Sequence, residues 1–246
     1  MGIQLFKKKD QAIGGFNGGA IVENKPIGFP QDQSILKPYS TLFYWAHAHS
    51  VTGSTIGLHP HRGFEIVTYV IKGTIKHFDT KTDDWITLKE GSFQVIDSAN
   101  GISHSEELCE NSEVFQIWFD PNINKSLYRE AKYKDYPSQV LPVEKNHKVR
   151  VKNIVGKNSP VKLETENISI QEIDLDNSHS LTLKSGQTYS LYLINGHIDI
   201  NGVELKKDDF TVIEDEKEMH ISCQKKSKLF MISSPKTPSY KTYTNQ

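Results

Sequence analysis

Apolar and polar residues alternate along this chain in short runs that break at Gly, Asn, Asp and Lys. "IGFP", "TLFYWAHAHS", "FEIVTYVIKG", "TIKHFD", "WITLKEG", "SFQVID" and "EVFQIWFD" come first, then "SLTLKSG", "YSLYLING", "HIDING" and "FTVIED". A period of two puts alternate side chains on opposite faces, and many such runs at regular spacing specify an all-β sandwich or barrel rather than helices on a sheet. "GGFNGG" at 14–19 has no Lys-Ser or Lys-Thr after it and no helical pattern, so it reads as a hairpin turn rather than a phosphate cradle.

The runs fall into two similar sets. Tyr69-Val-Ile-Lys-Gly73 matches Tyr192-Leu-Ile-Asn-Gly196 at a spacing of 123, and Leu88 to Ile96 matches Leu205 to Ile213 at a spacing of 117. The lost six residues are a hairpin, where "NG" at 201–202 replaces the longer "DTKTDDW" turn. Two tandem β-barrels follow, with domains expected at 1–137 and 138–246. The charged stretch from Phe119 to about Lys148, with three prolines and one helical turn near "KSLYREA", reads as their connection. The polar tail from Ser233 reads as a surface strap.

The 29 basic and 30 acidic residues leave a net charge of -1, which offers no electrostatic footprint for nucleic acid or an anionic membrane. No apolar run is long enough to span a bilayer and no secretory leader opens the chain, so a cytoplasmic protein is expected. Cys109 and Cys223 are too few for a disulfide framework and read as reduced packing residues; in a cytoplasmic chain the sequons at Asn124 and Asn167 then carry no weight.

Within "GLHPHRGFEIVTYVIKG" (57–73), His59 and His61 stand two apart and project from one face of a strand. "ANGISHSEE" supplies a second pair with the same spacing, His104 and Glu106. Three imidazoles and one carboxylate suit a borderline divalent metal. Glu65 competes for the carboxylate place. It lies roughly 13 Å beyond His61 on a regular strand and needs a bulge at Gly63 to reach the ion, so Glu106 is favoured and Glu65 is left as a pocket or outer group. In the second set the spacings carry the four positions to Thr182, Lys184, Ile221 and Cys223, while His197 and His220 fall elsewhere. The second barrel is therefore expected to hold no metal.

Gly53-x5-His59-x-His61-x3-Glu65-x7-Gly73 resembles the first cupin motif, with one extra residue before the last glycine. Gly91 to His104 resembles the second, with Asp97 where proline is usual. "HPHRGFEIVTYVIKG", "ANGISHSEE" and "FQIWFD" together resemble the pirin family of bicupins. That resemblance implies two cupin-type barrels. It also implies an Fe(II) site in the first barrel held by His59, His61, His104 and Glu106, with Mn, Ni, Co, Cu or Zn as other possible ions, and none in the second. Members of the family are described as quercetin 2,3-dioxygenases or as iron-dependent regulators that act through a protein partner. The expectation is a dioxygenase that cleaves a flavonol-like enol with O2, a small molecule being its partner, in a monomer. Glu106, or Glu65 if it lies in the pocket, takes the substrate hydroxyl proton.

Overall fold

The computed structural model describes residues 2–146 and 149–243. The last three residues of the expected tail therefore lie outside the described residues. The first half of the chain carries β1 Ile3–Phe6, β2 Ala12–Phe16, β3 Ile21–Ile27, β4 Leu42–Ser50, β5 Ser54–His61, β6 Glu65–Lys72, β7 Thr74–Asp79, β8 Trp85–Lys89, β9 Phe93–Asp97, β10 Ile102–Leu108 and β11 Ser112–Phe119. A single-turn helix α1 (Ile123–Ser126) precedes β12 Lys132–Tyr136 and β13 Val143–Asn146. The second half adds β14 Val149–Val155, β15 Ser169–Leu175, β16 His179–Thr182, β17 Gln187–Asn195, β18 His197–Ile200, β19 Val203–Lys206, β20 Phe210–Ile213, β21 Glu218–Cys223 and β22 Ser227–Pro235. The fold is all-β, and among the described residues no helix is long and apolar enough to cross a membrane.

The chain divides into two compact units. One holds residues 11–140, 163–165 and 240–243. Its seven-stranded sheet runs β12-β9-β6-β11-β4-β3-β2 and its four-stranded sheet β5-β10-β7-β8. Ile21, Ala48, Val70 and Val114 from the first sheet meet Ile75, Leu88 and Leu108 from the second in a common core. The other unit repeats the plan, as β1-β20-β17-β22-β15-β14-β13 and β16-β21-β18-β19, around Leu191, Leu193, Ile200, Met219 and Leu229. The units are not contiguous in sequence, where a single division at 137/138 was expected. β1 pairs with β20 (Ile3 opposite Ile213), so residues 2–10 belong with the second half of the chain.

The duplication is visible in the pairing itself: Tyr69 lies opposite Phe93 in β6/β9, and Tyr192 opposite Phe210 in β17/β20. Three details differ from the sequence reading. β3 ends at Ile27, and residues 28–30 of "IGFP" form a turn where Phe29 N donates to Asp32. The expected connection contains two edge strands, β12 paired with β9 and β13 paired with β14. β22 runs on to Pro235 with Ser234 buried, so the tail begins later than Ser233.

Candidate metal centre

β5 carries the first histidine pair, and its alternation is broken once. Pairing with β10 sets His104 opposite His59 but Glu106 opposite Ile56, so β5 has one extra residue at Gly57-Leu58. That bulge turns Ile56, His59 and His61 all inward, with Leu58 exposed. The bulge also orients a ring: His59 Nδ1 donates to Gly57 O at 2.7 Å, which leaves Nε2 as its bare nitrogen.

His59, His61 and His104 come together with ring centroids 4.4–4.8 Å apart, each offering one nitrogen within 4.8 Å of the others. His61 Nε2 and both ring nitrogens of His104 are buried and have no hydrogen-bond partner among the described residues. Burial, then the neighbouring imidazoles, holds both rings down to about 3, so they present neutral lone pairs at any physiological pH. Buried lone pairs left unsatisfied are costly unless a cation fills the space between them. The donor set therefore fits a metal ion.

Glu106 lies two residues beyond His104 on the same strand, 3 % exposed, and accepts from Gln116 Nε2 at 2.6 Å. Burial raises its pKa against the pull of His77, Gln116 and His59. Its carboxylate lies with His104 and His77 in a second group of three donors. The structure thus brings His59, His61 and His104 together and places Glu106 beside His104, grouped with His77.

A cavity of about 220 Å³ adjoins His61. Phe29, Phe43, Phe64 and Trp118 wall it, with Arg62 and Asp120 as its charged members. His61 lies 5.4 Å from Phe64 and 5.1 Å from Trp118, ring to ring, and those two rings stack on each other at 4.9 Å. Tyr243 covers one side, its backbone N–H donating to Asp120 and its ring 5.7 Å from Phe43. Burial pushes Asp120 up to about 6 against that hydrogen bond.

The sequence matches the family model for pirin over residues 30–119 and that for the quercetinase C-terminal cupin domain over 156–233. The chain belongs to the pirin family. It is 35% identical to Pirin-1 of Arabidopsis thaliana over 146 residues, 58% of this chain and 48% of that one. It is 24% identical to quercetin 2,3-dioxygenase of Escherichia coli K12 over 189 residues, 74% of this chain and 78% of the relative. The bacterial pirin YhhW of Escherichia coli, solved in complex with nickel(II), shares the fold with a TM-score of 0.78 at 22% identity, covering 95% of this chain and 99% of its own.

In this pirin-family chain Glu65 is not with the histidines. It heads β6, 1 % exposed, and its carboxylate accepts from Glu164 N, Thr165 N and Thr165 Oγ1. Those three donors occupy the lone pairs a metal or substrate would need. Burial raises Glu65 from an ordinary 4.5 to about 7, opposed by the same hydrogen bonds. A raised carboxyl pKa means the folded state holds its proton after the unfolded chain has released it. Stability is then lost as pH rises from 4.5 through 7, by roughly 3 kcal/mol for a shift of that size. Urea midpoints at pH 5 and pH 8 should show that loss, and Glu65→Gln, which carries no proton to titrate, should flatten it.

The second unit corrects the mapping of the ligand positions. Gly73 and Gly196 both precede a strand, so His77 corresponds to Ile200. His77 faces Glu106 and Ile200 faces Ile221, which puts Met219 in place of His104; Met219 faces Leu181, the counterpart of His59. The inward residues are therefore Leu181, Leu183, Met219 and Ile221, all in or against the apolar core, while Thr182 and Lys184 point outward. Counting from one conserved block across two hairpins slipped each strand by one or two residues. His197 and His220 are exposed, beside Glu204 and Glu218.

Sequence reasoning also missed His77, Asp79 and the aromatic wall. "TIKHFD" holds His77 and Asp79 at the same i, i+2 spacing as the ligand pairs, and that was the available signal. The wall had none, since Phe29, Phe43, Phe64 and Trp118 come from distant parts of the sequence.

Proposed function

We propose that the chain is a metal-dependent dioxygenase that cleaves a flavonol or similar aromatic enol, with iron as its resident ion. The observation that carries this reading is the packing of His61, one of the triad, against Phe64 and Trp118, two rings that wall the aromatic cavity. Its relatives support it: one bears the name of that activity, and one structural neighbour holds nickel(II). Iron, when bound, lowers the pKa of a chelating enol oxygen and supplies the electronic contact with O2.

The chain's own residues do the rest. His59, His61 and His104 hold the ion from one side, in a lone-pair arrangement fixed by the β5 bulge and by burial. Glu106, whose carboxyl group lies with His104, would complete the ligand set. Phe64 and Trp118 offer flat faces on which a planar ring stacks, and the cavity walls keep water from it. Arg62, next in sequence to His61, draws an enolate toward the ion. Of the two carboxyls expected to take the substrate proton, only Glu106 lies with the histidines. Asp120 faces the cavity itself, and a carboxyl near 6 suits a proton acceptor close to neutral pH.

The iron-loaded protein should bleach the flavonol absorption band of quercetin in air with matching O2 uptake. The reaction should stop on chelation, and Glu106→Gln should lose it even with metal still bound. A flavonol band unchanged after hours with fully loaded protein would reject the substrate class.

A further inference from the structure

The proposed catalytic reading uses one face of the histidine cluster, yet a second set of donors lies behind it. His77 projects from β7 toward Glu106 and is completely buried. Its Nε2 lies 2.9 Å from Asp79 Oδ2, and Asp79 is itself anchored by Lys81 N, Thr82 N and the Thr82 hydroxyl. With these three donors already converging on its oxygens, Asp79 is the acceptor of the pair and takes the Nε2 proton. His77 Nδ1 is then a bare lone pair. It has no hydrogen-bond partner among the described residues, and a stacked Tyr133 ring, 4.5 Å away and 6° from parallel, clamps the imidazole in place.

Two electron-pair donors thus face each other in the barrel interior, the His77 Nδ1 lone pair and the Glu106 carboxyl group. Of the two Glu106 oxygens, Oε2 accepts from Gln116 Nε2 at 2.6 Å. Such an arrangement lacks a cation. One nitrogen from His77, one from His104 and one Glu106 oxygen lie within 4.8 Å of one another, a spacing an ion can draw in to bonding distance. Neither His104 nitrogen has a hydrogen-bond partner among the described residues, so its one lone pair can sit on either side and serves one of the two positions at a time.

We propose that the barrel holds a second, inner ion position formed by His77, His104 and Glu106, with Asp79 setting the His77 tautomer that makes it a ligand. The proposal rests on the metal reading of the cluster and is independent of the flavonol substrate. Two imidazoles and a carboxylate suit a borderline divalent ion, and a carboxylate behind a ligating histidine is the usual outer support of such sites.

Cobalt(II) is the probe, since its visible absorption reports the number and kind of donors. The variant His59→Ala/His61→Ala removes the outer face and should still take up one equivalent of Co(II). Adding His77→Ala should weaken that uptake by about 10–100-fold and shift the band. Adding Asp79→Asn instead should do the same with almost no change of shape. The new amide N–H donates to Nε2, which moves the ring proton to Nδ1 and closes the lone pair. Circular dichroism checks that each variant is folded, and the near-isosteric Asp79→Asn decides where His77→Ala is not. If the double variant takes up no Co(II), or if its affinity and spectrum survive Asp79→Asn unchanged, the inner position does not exist. Since no arm uses turnover, inactivity toward flavonols defeats only the catalytic reading.

Discussion

His104→Ala should strip the protein of its metal while leaving the metal-free fold almost as stable as before. His104 belongs to both donor groups, so its loss breaks each chelate at once, and affinity should fall by well over the 10–100-fold typical of an outer support. The unusual part is the sign of the effect on stability. Ordinarily a buried histidine replaced by alanine loses hydrogen bonds and leaves a hole. Here both ring nitrogens are already without partners, so the substitution removes two desolvated polar atoms together with the packing they came with. The two effects oppose each other. Metal added at about 100 times its dissociation constant stabilises the wild type by roughly 2.7 kcal/mol, which in a chain of this size raises Tm by about 5–10 °C. That shift should vanish in His104→Ala, while the Tm values of the two metal-free proteins stay within a few degrees. An alanine variant that still gains stability from metal would show that His104 is not a ligand.

How much of this was legible beforehand depends on the range over which each signal acts. Period-two alternation is local, and it located most of the strands, the hairpin around Asn17-Gly18-Gly19 and the Asn201-Gly202 turn, where both residues have positive φ. The i, i+2 histidine pair is local too, and its rings do converge on His104. Partner choice at a sheet edge is not local. Nothing in "IQLF" says that it pairs with β20 some two hundred residues away, since an edge strand needs only a matching row of backbone groups. Glu65 shows the same limit: its distance from His61 could be reasoned out, but its partners Glu164 and Thr165 come from a loop with no motif. In the sequence Gly63 is the place where a bulge could bring Glu65 to the ion. The bulge occurs at Gly57-Leu58, where the register against β10 demands it. A bulge is a property of two strands, and one sequence run shows only one of them.

The glycines that end the matched blocks, Gly73 and Gly196, give a prediction that separates the two copies. Each follows a long central strand in the left-handed region, at φ 77° and 104°, and each passes close to a serine that begins or enters the neighbouring strand. At Gly73 an added Cβ would lie 3.1 Å from Asn111 O and from Ser112 Cα, contacts that a shift of a few tenths of an ångström relieves. At Gly196 it would lie 2.1 Å from Ser227 Oγ, 2.6 Å from its Cβ and 2.8 Å from its Cα. The hydroxyl could rotate away, but Cβ and Cα cannot, because Ser227 is fixed in the ladder opposite Leu175. Gly73→Ala should therefore cost about 1–2 kcal/mol, the conformational penalty of a left-handed alanine. Gly196→Ala adds overpacking of about 1–3 kcal/mol to that penalty and must push β17 and β22 apart at their bulge between Leu193 and Asn195. Urea unfolding followed by near-ultraviolet circular dichroism should rank Gly196→Ala as the more damaging by at least about 1 kcal/mol. The double variant Gly196→Ala/Ser227→Gly should recover part of the loss, since it deletes the clashing side chain and leaves only the contact with Cα. Equal losses at the two glycines, or no recovery in the double variant, would mean that the close approach at Gly196 does not set the cost.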